Sequence, residues 1–131
     1  LISYFDNLRI VRLPIVYGEN FKKNYLFDLI NKKNLENICL KNKIQFYNVN
    51  NLKNDIDRFW KINTKVINLA TEPITICEVV DLCFPTIKKY CISNNVFTTD
   101  MKTSFDKDRY FYKKEIIIKE IQGFVSESIN I

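Results

Sequence analysis

Apolar positions crowd the start of the chain. Residues 8–13 read LRIVRL, and Ile15 and Val16 follow after a single proline. Such a run suits a strand covered on both faces. Pro14 has no N–H to give a ladder, which predicts that the strand stops there. Gly18 then offers the following loop a position free of Cβ restraint. Tyr25, Leu26, Leu29 and Ile30 recur at helical spacing and predict a helix over residues 24–33. Residues 44–49 alternate apolar and polar for most of their length, the pattern of a short strand. Leu52, Ile56, Phe59 and Trp60 mark the apolar face of a helix over 52–61, and 65–69 form a second short buried strand. After a turn at 70–73, Thr75-x-x-Glu78 matches a capping box that opens a helix over 76–84. Pro85 ends that helix. Residues 90–107 read as irregular, with one candidate strand at 95–99. A final helix spans 113–127, with Ile116, Ile117, Glu120 and Phe124 on a mixed face.

Strands separated by helices predict an α/β arrangement. In open α/β sheets, ligand sites form where a buried strand ends abruptly in an ordered loop. Residues 8–20 have that form. The chain's 131 residues suffice for one domain with a real core. It shows neither an internal repeat nor a low-complexity linker, and no apolar run approaches the roughly 20 residues of a membrane span. The opening LISYFDNL lacks a basic start and contains Asp6, unlike a signal peptide. The first residue is not Met, which points to a piece of a longer protein.

A net charge of +5, from 20 Lys and Arg against 15 Asp and Glu, raises the question of nucleic acid. The basic residues are spread along the chain in short pairs with acidic neighbours. They form neither the basic stripe nor a known module of a nucleic-acid binder. Cys39, Cys77, Cys83 and Cys91 lack C-x-x-C spacing, and there is no His. They read as reduced thiols, which places the protein in the cytoplasm.

The segment 8–20 resembles the R-x-x-N-V-Y-G-P stretch of extended short-chain dehydrogenases, the NAD-dependent epimerase/dehydratase family; here it reads R-L-P-I-V-Y-G-E. Residues 44–56, IQFYNVNNLKNDI, are similar to that family's short strand followed by V-D-D-V and a helix. Residues 65–82, KVINLATEPITICEVVDL, are similar to its late core strand, an N-x-G-x-x-x-P-x-S loop and a helix with an internal Glu. All three pieces stand in the family's order. The resemblance implies the last strands of a Rossmann-type parallel sheet plus the smaller C-terminal substrate-binding lobe. Residues 1–20 would be the late core strand and pocket loop, 21–64 the lobe's helices and short strand, 65–85 the late strand and helix, and 86–131 the tail and final helix.

The parent protein implied is an NAD(P)-dependent sugar-nucleotide epimerase, dehydratase or reductase. This chain would pack against its own N-terminal half, which would hold most of the NAD or NADP; a homodimer is compatible with this. The Gly-rich turn that cradles a pyrophosphate needs closely spaced glycines. Only Gly18 and Gly123 are present, so the chain alone is expected to be inactive. The one Tyr-x-x-x-Lys spacing, Tyr110 to Lys114, falls far too late for the family's catalytic pair and reads as coincidence. By resemblance, Pro14 and Val16 lie beside the nicotinamide, while Ile15, Tyr17 and Gly18 line the sugar-nucleotide pocket. Lys22 and Lys23 could meet the diphosphate as point charges. Lys43 is the basic residue where many members carry Arg. Arg12 reads as a strand-end cation paired with a carboxylate. Ile15 replaces the usual Asn, Glu19 the usual Pro, and Asn50-Asn51 the usual acidic pair. These departures support an alternative, a non-catalytic binding or regulatory module that keeps the fold.

Overall fold

Pro14 divides one apolar run between two ladders. In the computed structural model, which describes residues 7–62, 64–103 and 109–129, β1 (Ile10–Arg12) and β2 (Ile15–Tyr17) lie on either side of it. The expected stop at Pro14 is real for β1, but pairing resumes one residue later. Ile15 N donates to the Gln45 carbonyl at 3.1 Å. Proline removes one donor and does not prevent the next residue from entering a ladder with a different partner.

Both pairings are parallel. β1 aligns with β5 (Val66–Asn68), Ile10 opposite Val66, and β2 aligns with β4 (Phe46–Asn48), Ile15 opposite Phe46. β3 (Lys43–Ile44) runs antiparallel to β6 (Ile74–Thr75). The single strand expected over 44–49 is thus two, broken at Gln45. That side chain is buried and turns inward, donating to the carbonyls of Thr71 at 2.8 Å and Met101 at 2.6 Å. The candidate strand at 95–99 reduces to one bridge, in which Lys43 N donates to the Phe97 carbonyl and Thr99 N to the Lys43 carbonyl.

The helices stand where the sequence periodicity predicts them, but Ile56 and Trp60, read as part of the apolar face of 52–61, are exposed, and Asp55 is buried there with Phe59. α1 (Tyr25–Asn31) starts at Asn24, whose side chain accepts from Phe27 N at 2.8 Å, and ends at Lys32 in the left-handed region, φ 54°. α2 is Leu52–Trp60 and α3 is Ile76–Cys83. The capping box is formed: Glu78 N donates to Thr75 Oγ1 at 3.1 Å and Thr75 N to Glu78 Oε2 at 2.9 Å. In α4 (Lys114–Ile129) the buried stripe is Ile117, Ile121 and Val125; of the residues read as a mixed face, Ile117 is buried and Ile116 is half-exposed. Glu72 Oε2 accepts from the Lys114 N–H at 2.8 Å, satisfying a donor at the start of α4.

Two apolar clusters result. The larger joins Tyr17, Leu26, Phe46, Ile76, Val80 and Ile121, drawn from β2, β4, α1, α3 and α4. The smaller joins Tyr47, Phe59, Ile67 and Leu69, between β5 and α2. All four cysteines are free thiols; Cys39 and Cys91 are buried. Among the described residues, no helix is long and apolar enough to cross a membrane.

Candidate ligand pocket

The loop that follows β2 is tied to α1 by one side chain. Asn24 caps the helix with Oδ1 and donates through Nδ2 to the Val16 carbonyl at 3.3 Å. This bond holds β2 against the start of α1. Beside it opens a cavity of about 500 Å³ lined by Ile15, Lys22, Lys23, Tyr25, Phe27 and Lys33, among others. Three of the residues singled out in the sequence, Ile15, Lys22 and Lys23, therefore share one concavity. Lys22 and Lys23 are exposed, and the Lys33 ammonium lies 5.8 Å from the Phe27 ring centroid. Asp28 is the one carboxylate on the wall. Cations beside aromatic faces suit an anionic ligand with a flat apolar part.

The remaining candidates sit elsewhere. Pro14 and Val16 are half-buried at the crossing between the two ladders. Tyr17 is 1% exposed, its ring 5.3 Å from Phe124 and 6.3 Å from Phe46, centroid to centroid. That burial leaves it no surface to offer a ligand; it packs the core. Burial, with Glu120 nearby, raises the Tyr17 phenol above its ordinary value. Gly18 is buried and its φ is not positive, so the absent Cβ matters for space and not for backbone freedom. A Cβ there would stand 2.4 Å from Val49 Cγ1. Gly18 borders a second, smaller cavity with Phe21 and Phe124. Lys43 is exposed on β3 and absent from the lining of the large cavity. Arg12 is exposed and has no carboxylate partner among the described residues.

The late Tyr-x-x-x-Lys spacing is not a catalytic pair. Tyr110 precedes α4 and donates its hydroxyl to Asp100, while Lys114 forms an ion pair with Glu78. The hydrogen bond to Asp100, with some burial, pushes the Tyr110 phenol up to about 12. A phenol that exchanges protons near neutral pH needs the opposite shift.

One polar constellation lies outside all these expectations. Asp55 is 5% exposed and accepts from the hydroxyls of Tyr47 at 2.5 Å and Tyr112 at 2.8 Å. Burial is the largest cause that raises both phenols, and their hydrogen bonds to Asp55 raise them further. The signal was present in the sequence: Asp55 is three residues after Leu52 and four before Phe59, on the apolar stripe itself.

No protein-family model matches the chain, and no curated protein matches it. Among solved structures it is similar to the UDP-N-acetylglucosamine 4-epimerase from Bacillus cereus, with a TM-score of 0.60 and 16% identity. The similarity covers 96% of this chain and 46% of that one, so the chain spans under half the length of that protein. At this identity the likeness speaks for the fold. The chain has the α/β fold, with short parallel strands, of the C-terminal part of a Rossmann-type epimerase.

Proposed function

We propose that this chain is the substrate-binding lobe of an NAD(P)-dependent sugar-nucleotide epimerase, dehydratase or reductase. The observation that carries the reading is the meeting of Ile15, Lys22 and Lys23 in one cavity beside β2. Lys22, Lys23 and Lys33 would attract the diphosphate, while Tyr25 and Phe27 would give an apolar wall to the base or sugar. Pro14 and Val16 would approach the nicotinamide through shape and backbone contact.

The described residues do not fit the cofactor as a whole. Gly18 is pressed against Val49 and Gly123 lies within α4, so neither belongs to a cradle for a pyrophosphate. NAD or NADP would be bound mainly by the protein's own N-terminal half, with which this chain would pack. Free thiols accord with a cytoplasmic setting. A second reading, a non-catalytic module, is favoured by Ile15, whose side chain brings no hydrogen-bonding group to the cavity wall.

Turnover in the parent protein tests the enzyme reading. Pro14→Asp would put an unpaired carboxylate where the nicotinamide should sit, at a cost. A drop of ~100-fold or more is expected, about 2.7 kcal/mol of transition-state stabilisation. Lys32→Asp, at the left-handed end of α1, should change little. Equal turnover of the two variants at verified foldedness would remove Pro14 from the site. A parent protein with no turnover that still binds the sugar nucleotide would establish the module.

A further inference from the structure

A further cavity, of about 140 Å³ and distinct from the one beside Gly18, lies between β1, β5 and α2, lined by Arg9, Asp55, Phe59, Trp60, Ile67 and Leu69, with Val11 and Ile56 completing the wall. Its walls are apolar except for two charged groups. Asp55 is buried and held in place by the Tyr47 and Tyr112 hydroxyls, which leave lone pairs on its oxygens. The Arg9 guanidinium stands 5.3 Å from the Trp60 ring centroid and spends one N–H on the Leu8 carbonyl at 3.2 Å. Its Nε is buried and has no hydrogen-bond partner among the described residues. A buried donor left unmade is costly, and a ligand with an acceptor would satisfy it.

The geometry points to a binding site for a small neutral phenol. An apolar cavity of about 150 Å³ is known to hold a benzene-sized ring, so size admits a single six-membered ring. The two charges select what that ring carries. A carboxylate would bring a second negative charge beside buried Asp55, and an ammonium a second positive charge beside Arg9. A neutral hydroxyl meets both, accepting from Arg9 Nε–H and donating to Asp55, as the two tyrosines already do. This inference does not depend on the proposed enzyme activity.

Trp60 is the only tryptophan in the chain, and it lines the cavity, so its emission reports occupancy. Phenol titrated into the whole chain, with excitation beyond phenol's own absorption, should give a saturable change at millimolar concentration. Benzoate should bind at least ~10-fold more weakly. Arg9→Met should weaken phenol about tenfold, the worth of one hydrogen bond to a charged donor, while leaving benzene unchanged. Val11→Phe should fill the space and abolish the response. Foldedness is checked by circular dichroism, and the comparison of phenol with benzoate on the unaltered chain stands even if both variants unfold. No saturable change with phenol, benzoate binding as tightly as phenol, or an unchanged response in folded Val11→Phe would overturn the assignment.

Discussion

Tyr112 donates its hydroxyl to Asp55 at 2.8 Å across 57 residues of sequence, joining the approach to α4 to the buried side of α2. Tyr47 donates to the same carboxylate from β4. One acidic side chain therefore fixes three segments, and no Lys or Arg is hydrogen-bonded or ion-paired to it among the described residues. Buried carboxylates persist when their lone pairs are taken up by donors.

Asp55→Ala should destabilise the chain by about 2–4 kcal/mol, because it strands two phenol hydroxyls in addition to removing the bonds. Tyr112→Phe should cost less, about 1–2 kcal/mol, since Tyr47 still serves the carboxylate. Urea denaturation of both variants gives the order. If Tyr112→Phe costs as much as Asp55→Ala, the carboxylate depends on Tyr112 alone and the three-way joint is wrong.

Gly18 and Val49 make a tight contact, 2.4 Å from the position of an added Cβ to Val49 Cγ1. Gly18→Ala should cost about 1–3 kcal/mol through overpacking. Adding Val49→Ala should recover part of that loss in a double-mutant cycle, because the clashing methyl is gone. Additive losses would place the strain elsewhere.

Glu78 serves two partners, the Thr75 N–H and the Lys114 ammonium. Thr75→Ala should lower stability by ~1 kcal/mol. Burial alone would raise the Glu78 carboxyl, but its bonds to Lys114 and Thr75 outweigh that and hold it below its ordinary 4.5. A carboxylate whose value is lowered by folding adds stability above its unfolded value, and that stability is lost as pH falls through the folded value. Stability should therefore decline as the solution is acidified below about pH 4.5, and Glu78→Gln should decline less steeply over the same range. Parallel acid-unfolding curves for the two proteins would dissociate Glu78 from the effect.

Much of the fold was legible because local physics dictated it. The capping box at Thr75 and the helical spacing in α1 and α2 are read within a few residues. What escaped depended on distant partners. Nothing in residues 8–20 says that the strand changes ladders at Pro14, because the second ladder is supplied by β4. Gln45 breaks the expected strand because Thr71 and Met101 offer it backbone groups from far along the chain. Tyr17 was read as lining a pocket on its place in a motif, whereas the register of β2 turns it onto Phe46 and Phe124. Asp55 was not singled out, although its place between Leu52 and Phe59 on the apolar stripe marks it as buried. At the cavity, adjacency in sequence sufficed for Lys22 and Lys23; Lys33 reaches it only because α1 is short and turns back at Lys32.

Under the proposed function, the cavity lined by Ile15, Lys22 and Lys23 would receive a sugar nucleotide. Isothermal titration of the chain with UDP-N-acetylglucosamine tests it most directly, run beside Lys22→Glu/Lys23→Glu and beside Lys32→Glu, a charge change of the same kind outside the cavity. Saturable binding is expected, weakened at least ~10-fold by the double variant, about 1.4 kcal/mol, and left within twofold by Lys32→Glu. Binding equally affected by both variants would reduce the lysines to general surface charge, and no saturable binding to the folded chain would contradict the pocket itself.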